Sequence, residues 1–231
     1  MKFGISQSFP CSYLPDEQER LLVYAEESEH NTYYEMLMAA GFRRSGAQVY
    51  RPHCGACSAC QALRVPVASF VPSKGQKRIL KRNSDITVVL SEQDKDHYYA
   101  LYEKYINTRH QDGSMYPATP EQYASFAHGD WLDPLYIELH LAGELVGVAV
   151  TDALENALSA VYTFFEPSLA ERSLGTFAVL QQISIAKRLN KQHLYLGYQI
   201  DNCQKMQYKR NFLPHERFIE QKWQLISKKD W

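Results

Sequence analysis

Residues 50–66 read YRPHCGACSACQALRVP and set three cysteines, Cys54, Cys57 and Cys60, at intervals of three. Three thiolates on one short loop supply three corners of a tetrahedral zinc site or of an iron–sulfur cluster, and either needs a fourth ligand. Cys11 is the first candidate for that place and His53 the second. Two other readings stay open. The paired C-x-x-C spacings suit thiol–disulfide exchange, although no thioredoxin-like βαβ pattern surrounds them, and the thiols also suit reduced side chains packed in a loop. Cys203 stands alone and reads as structural.

A second group of residues is suited to anions. Lys74, Lys77, Arg78, Lys81 and Arg82 recur at helical spacing, so a helix there carries one basic face with no acid on it. The wider pattern agrees: residues 16–35 hold seven acids and one base, whereas residues 43–82 hold nine Lys or Arg and no acid. A net charge of −1 therefore hides a local basic surface, which attracts a polyanion such as nucleic acid. In ERSLGTF (171–177), Arg172-x-x-Gly175 lies between a strand and a helix, like the anion-binding loop of acetyltransferases, with Phe177 where a small residue is usual. Residues 195–218 are dense in Tyr195, Tyr198, Tyr208, Lys205, Lys209 and Arg210, with the carboxylate Asp201 among them.

These residues need elements to hold them. A chain of 231 residues that is 45% hydrophobic and 22% charged has the composition of a folded globular protein. It has no run of about 18 apolar residues and no signal-peptide core, so a cytosolic protein without membrane contact is expected. DEQERLLVYAE (16–26) suggests a helix start. TYYEMLMAAGF (32–42) has capping-box spacing from Thr32 to Glu35, with Tyr33, Leu37 and Ala40 on one face and Gly41 as terminator. AQVYRP and LRVPV read as strands on either side of the cysteines. Next come a strand at SDITVVL and a helix over 94–110 with Tyr98, Leu101, Tyr102, Tyr105 and Ile106 on one stripe. A further helix is capped by Thr119 and Gln122. LYIELHLA, ELVGVAVTDA and ALSAVYTFFE predict an antiparallel meander, followed by a long helix, the strand HLYLGYQI and a strand-like RFIEQKWQLI. The order predicts an α+β fold with a mixed, largely antiparallel sheet. It divides into a cysteine-bearing part, 1–90, and a second domain, 91–231.

Taken jointly, CSYLP, YRPHCGACSACQALRVPV, FVPSKGQKR, YINTRH, LSAVYTFFEPSLAERSLGTFAVL, LYLGYQI and KMQYKRNFLPHE resemble the bacterial leucyl-tRNA–protein transferases, or aspartate/glutamate leucyltransferases, relatives of the eukaryotic arginyl-tRNA–protein transferases. The resemblance spans nearly the whole chain. It implies transfer of Leu from Leu-tRNA to the α-amine of proteins beginning with Asp or Glu, which marks them for degradation, by an acetyltransferase-like (GNAT) C-terminal domain. Arg-tRNA is the alternative donor within the family. Outside it, the alternatives are a coenzyme A-dependent acetyltransferase and a metal-containing RNA-binding protein without activity. The eukaryotic relatives bind metal through cysteines, but their N-terminal Cys-x-x-Cys appears here as Cys11-x-x-Leu14.

The implied reaction is aminolysis of an activated ester. It needs a positioned amine, a proton acceptor and an oxyanion donor, but no covalent nucleophile and no cofactor. Asp201 or Glu166 is the expected base, and Tyr162 or Tyr198 the expected oxyanion donor. A substrate carboxylate needs a paired cation, for which Arg43, Arg51, Arg64, Arg172 and Lys205 are candidates. The basic helix, the Gly175 loop and Lys209 are expected to meet tRNA.

Overall fold

The N-terminal third builds a small sheet around one helix. The computed structural model describes residues 1–129 and 131–228. Its first elements are β1 (Phe3–Ile5), β2 (Phe9–Pro10), β3 (Gln18–Glu19), β4 (Leu21–Tyr24), α1 (His30–Ala39), β5 (Arg43–Ser45) and β6 (Gln48–Pro52). The order β1-β4-β6-β5 makes a four-stranded antiparallel sheet, while β2 and β3 pair separately. The segment expected to start a helix is therefore extended: Leu21–Tyr24 has a ladder partner on each side, β1 and β6, and these long-range pairings override its local acid-rich signal.

The expected capping box at Thr32 does not form. Helix α1 starts earlier, at His30, behind a single 3₁₀ turn at Glu27–Glu29. The His30 ring is buried 4.9 Å from Trp131 and 5.5 Å from Tyr24, which draws the first turn inward. The buried face is accordingly His30, Tyr34, Leu37 and Met38. Gly41 does end the helix, at φ +83°, where a Cβ would lie 2.7 Å from the Phe218 ring.

The rest of the chain forms β7 (Gln61–Pro66), α2 (Lys74–Arg82), β8 (Ile86–Ser91), α3 (Asp96–Arg109), α4 (Pro120–Ala127), β9 (Leu135–Leu141), β10 (Glu144–Ala153), β11 (Ala157–Phe165), α5 (Leu174–Arg188), β12 (His193–Gln199), β13 (His215–Ile219) and β14 (Lys222–Ile226). Among the described residues eight strands join in the order β14-β13-β7-β12-β11-β10-β9-β8. The fold is α+β with a mixed, mostly antiparallel sheet. The meander β9-β10-β11 is present, as are the aromatic stripe of α3 and the reciprocal Thr119–Gln122 cap of α4. The terminal segment is a hairpin of two strands, turning at Glu220 and Gln221, both at positive φ. Residues 90 and 91 both lie in β8, and the sheet draws strands from both sides of that position. No helix among the described residues is long and apolar enough to cross a membrane.

A buried polar cluster ties the small sheet to the large one. Arg44 on β5 donates to both carboxylate oxygens of Asp152 on β10, from Nε at 3.0 Å and Nη2 at 2.8 Å, and the Tyr34 hydroxyl donates to Asp152 Oδ2 at 2.8 Å. The remaining guanidinium protons reach the carbonyls of Gly46, Phe126 and His128. Both charged side chains are at most 1% exposed, so neither has water in reserve. Removing one partner strands a buried charge, at a cost of about 3–5 kcal/mol. Asp152→Ala is expected to lower the melting temperature sharply, and pairing it with Arg44→Met is expected to recover much of the loss. Thermal denaturation of the two variants checks this.

Candidate active site

Strands β11 and β12 form the one parallel pair in the large sheet among the described residues. They pair only over Ala157–Ser159 and His193–Tyr195, although both run on, to Phe165 and Gln199. The parting coincides with two irregularities. Val161 is skipped where Ala160 faces Thr151 and Tyr162 faces Val150, and the register of β12 against β7 shifts between Tyr195 and Gly197. Beyond the last shared pair a cavity of about 400 Å³ opens, walled by residues from both strands, by Tyr105 and His110, and by Gly175 and Thr176 at the start of α5.

Two cations occupy the floor of this cleft. Arg43 arrives from β5, and its Nη2 donates to Val161 O at 2.9 Å. Its route needs Gly197, which sits at φ +77° and where a Cβ would collide with Arg43 Nη1. Lys209 lies in a short 3₁₀ turn, Gln207–Asn211, with its Nζ donating to Tyr198 O at 2.6 Å and lying 3.2 Å from Met206 Sδ. Lys209 is 3% exposed, so the ammonium expected to meet tRNA is buried instead. Neither cation has a carboxylate partner among the described residues. Burial, and then the neighbouring Arg43 charge, bring the Lys209 amine down to about 7. Burial also raises the Tyr162 phenol well above its ordinary value, so it stays protonated on the cleft wall, and it lowers His110, with Arg109 adding to the effect.

The cleft collects Tyr162, Arg43, Lys205, Lys209 and Gly175 from the residues singled out in the sequence. Others lie apart from it. Glu166 accepts from Lys104 at 2.7 Å and from Ser168. Burial alone would raise its carboxyl, but these bonds outweigh burial and hold it below the usual range. Asp201 is held down in the same way against burial, by Arg217 at 2.8 Å and Gln199 at 3.1 Å. The Tyr198 hydroxyl faces the carbonyls of Gly41 and Tyr50, each at 3.1 Å, and is already committed to them. Arg64 pairs with Glu216 and stacks 4.1 Å from the Trp223 ring, while Arg172 grips Asp85 with both terminal nitrogens. Arg51 donates to Ala40 O at 3.0 Å, and Lys205 pairs with Asp112 at 3.0 Å on the exposed rim. Sequence reasoning passed over His110 and Thr176. It did quote their segments, and only the fold brings them to one wall.

The cysteine loop borders a separate cavity of about 410 Å³, with Arg51, His53, Cys54, Cys57, Cys60 and Tyr198 in its walls. All the cysteines are free and half-buried. Burial, followed by the nearby Cys11, Cys54 and Cys57 thiols, pushes the Cys60 thiol up to about 12. The other three thiols are close enough to act on Cys60. Among the described residues, however, no three His, Cys, Asp or Glu side chains converge as a metal cage. As placed, they do not fit the expected zinc or iron–sulfur group, and no step of the chemistry passes through one.

Helix α2 presents Lys74, Lys77, Arg78, Lys81 and Arg82 to solvent, while Ile79 and Leu80 pack against the core. Ser73 and Gln76 cap it reciprocally, and Gln76 and Asn83, both buried, bond to Asn211 O and Arg172 O. A third cavity, of about 390 Å³, lies at the N-terminal end of this helix and shares Thr176 and Tyr208 with the cleft. This cavity and the cleft thus share a wall.

A structure of the C-terminal domain of a proposed lysylphosphatidylglycerol synthetase from Agrobacterium fabrum shares the fold at 12% identity. Its TM-score is 0.50, and the match covers 84% of this chain and 63% of that one. Three curated relatives bear the name aspartate/glutamate leucyltransferase. The protein from Pseudoalteromonas atlantica is 96% identical over 231 residues, covering 100% of both chains. That from Aeromonas hydrophila is 54% identical, covering 99% of this chain and 97% of its own. The third, from Shewanella putrefaciens, is 50% identical over 96% and 94%. Residues 9–78 match the family described as "Arginine-tRNA-protein transferase, N terminus", and residues 97–219 match its C-terminal counterpart. With Arg43 supplied by the first of these segments and Lys209 by the second, the chain belongs to the arginine-tRNA-protein transferase family.

Proposed function

We infer that the chain transfers leucine from Leu-tRNA to the α-amine of proteins that begin with Asp or Glu. The observation that carries this reading is full-length, 96% identity to a relative named aspartate/glutamate leucyltransferase. The marking of such proteins for degradation and a cytosolic location, where charged tRNA is found, belong to the same proposal. So does the description of the parted sheet as an acetyltransferase-like catalytic half, supported by the β11/β12 opening beside the start of α5.

The cleft supplies what the aminolysis of an ester needs. The aminoacyl ester is already activated, so positioning and charge stabilisation suffice and no side chain has to attack. Arg43, half-buried and without a carboxylate partner among the described residues, is the cation for the acidic side chain of the acceptor. Tyr162, kept protonated by burial, is the donor to the oxyanion. The exposed basic face of α2 holds phosphates of the tRNA, and the wall formed by Thr176 and Tyr208 leads its aminoacylated end into the cleft.

Three measurements test this reading. Given radiolabelled Leu-tRNA or Arg-tRNA and a peptide beginning with Asp, the protein is expected to transfer leucine. Arginine transfer in its place overturns the donor, and acetyl transfer from acetyl-CoA overturns the reaction class. Replacing Lys74, Lys77, Arg78 and Lys81 by Gln is expected to weaken tRNA binding without altering the melting temperature. The salt slope of log K should fall by about 0.7–0.9 for each phosphate that the variant no longer neutralises. Arg43→Met is expected to lower kcat/KM for the Asp peptide by roughly a hundredfold, about 3 kcal/mol, as the cost of leaving a buried carboxylate unpaired. Equal rates for wild type and Arg43→Met would remove Arg43 from the acceptor site.

A further inference from the structure

The two carboxylates expected to act as bases, Glu166 and Asp201, are each bound to a cation outside the cleft. The reaction still has to take a proton from the acceptor's α-ammonium, whose ordinary value lies near 8. One group in the cleft is placed to do so. The Lys209 amine is enclosed, and among the described residues it has a single oxygen partner, Tyr198 O at 2.6 Å, with the Met206 thioether at 3.2 Å. An ammonium has three protons to satisfy; a neutral amine here donates one to that carbonyl and keeps a lone pair.

We propose that Lys209 is the proton acceptor for the α-ammonium of the incoming protein substrate. This rests on the aminoacyl transfer inferred above. The groups around the amine are consistent with it. Arg43 faces it from β5, Cys203 from the turn after β12 and Cys60 from the cysteine loop, while the Tyr208 ring lies 5.9 Å away. Burial leads and Arg43 follows in favouring the neutral form; the two thiols act weakly the other way. The base is also matched to its task, because proton transfer between two groups of similar affinity carries little penalty in either direction.

The steps balance. The α-ammonium gives one proton to Lys209, and the freed amine attacks the ester carbonyl, forming the C–N bond. As the intermediate collapses, the C–O bond to the terminal ribose breaks and the nitrogen's second proton passes to the leaving ribose oxygen. The Lys209 ammonium then returns its proton to water. Substrate binding strengthens the base: a carboxylate seated on Arg43 cancels part of the repulsion that keeps Lys209 neutral.

The test compares wild type, Lys209→Arg and Lys209→Ala in Leu transfer to an Asp peptide across pH 5.5–9. In the wild type, a base that works when neutral gives a kcat/KM that rises through about 7, with the rise in kcat displaced upward. Lys209→Arg is expected to lower kcat at pH 7 by about a hundredfold or more, with KM for the peptide within about twofold. Its acid limb should move towards 8, where the α-amine titrates unaided. Methylamine is expected to restore activity to Lys209→Ala in proportion to its free-base concentration. An unshifted acid limb without amine rescue assigns Lys209 a structural role and overturns the proposal. NMR titration of lysine side-chain carbons in the wild type gives an independent reading: one lysine titrating near 7 supports the proposal, and none below 9 overturns it. Failure of the wild type to transfer leucine at all would instead sink the functional reading itself.

Discussion

The parting of β11 from β12 is the constraint on which the rest of the site depends. A parallel ladder that stops after three residue pairs leaves two strands diverging in the middle of a sheet, and polar backbone groups there still need partners. Two of the carbonyls find them in cationic side chains: Val161 O in Arg43 and Tyr198 O in Lys209. The opening thus has a floor of basic side chains. Filling the gap with an ordinary strand neighbour would remove both the cavity and the need for those cations.

The N-terminal segment is built into this site as well as beside it. β7 lies between β13 and β12, Arg44 locks β5 onto Asp152, and Arg43, the adjacent residue, passes Gly197 to reach the cleft. Alternation along an extended strand explains the division of labour: neighbours on β5 point to opposite faces, so one arginine serves the core and the next the cleft. The cleft cannot be assembled from either half alone, because Arg43 and Lys209 come from opposite halves of the chain.

Much of the architecture was legible locally. The stripe of α3, the Thr119 cap and the meander of β9 to β11 follow from periodicity, capping and runs of strand-forming residues. The errors lie where distant partners decide. Leu21–Tyr24 is a strand only because β1 and β6 flank it, and α1 starts at His30 because Tyr24 and Trp131 close over that ring. The site followed the same division. The basic face of α2 is a matter of spacing and appears as read. Lys209 in KMQYKRN looks like any solvated lysine, since nothing within its own turn encodes the burial that changes its chemistry. The only local sign was negative: from Asn202 to His215 there is no acid to pair with Lys205, Lys209 or Arg210.

Arg43, without a carboxylate partner of its own among the described residues, also gives the cleft a way to count. In the role proposed for Arg43, an acceptor enters by offering its negative side chain to that charge. Once leucine has been added, the new first residue is aliphatic and offers nothing in exchange for the water it would displace. On that proposed role the product would be a poor substrate for a second round, so that electrostatics would limit modification to one residue.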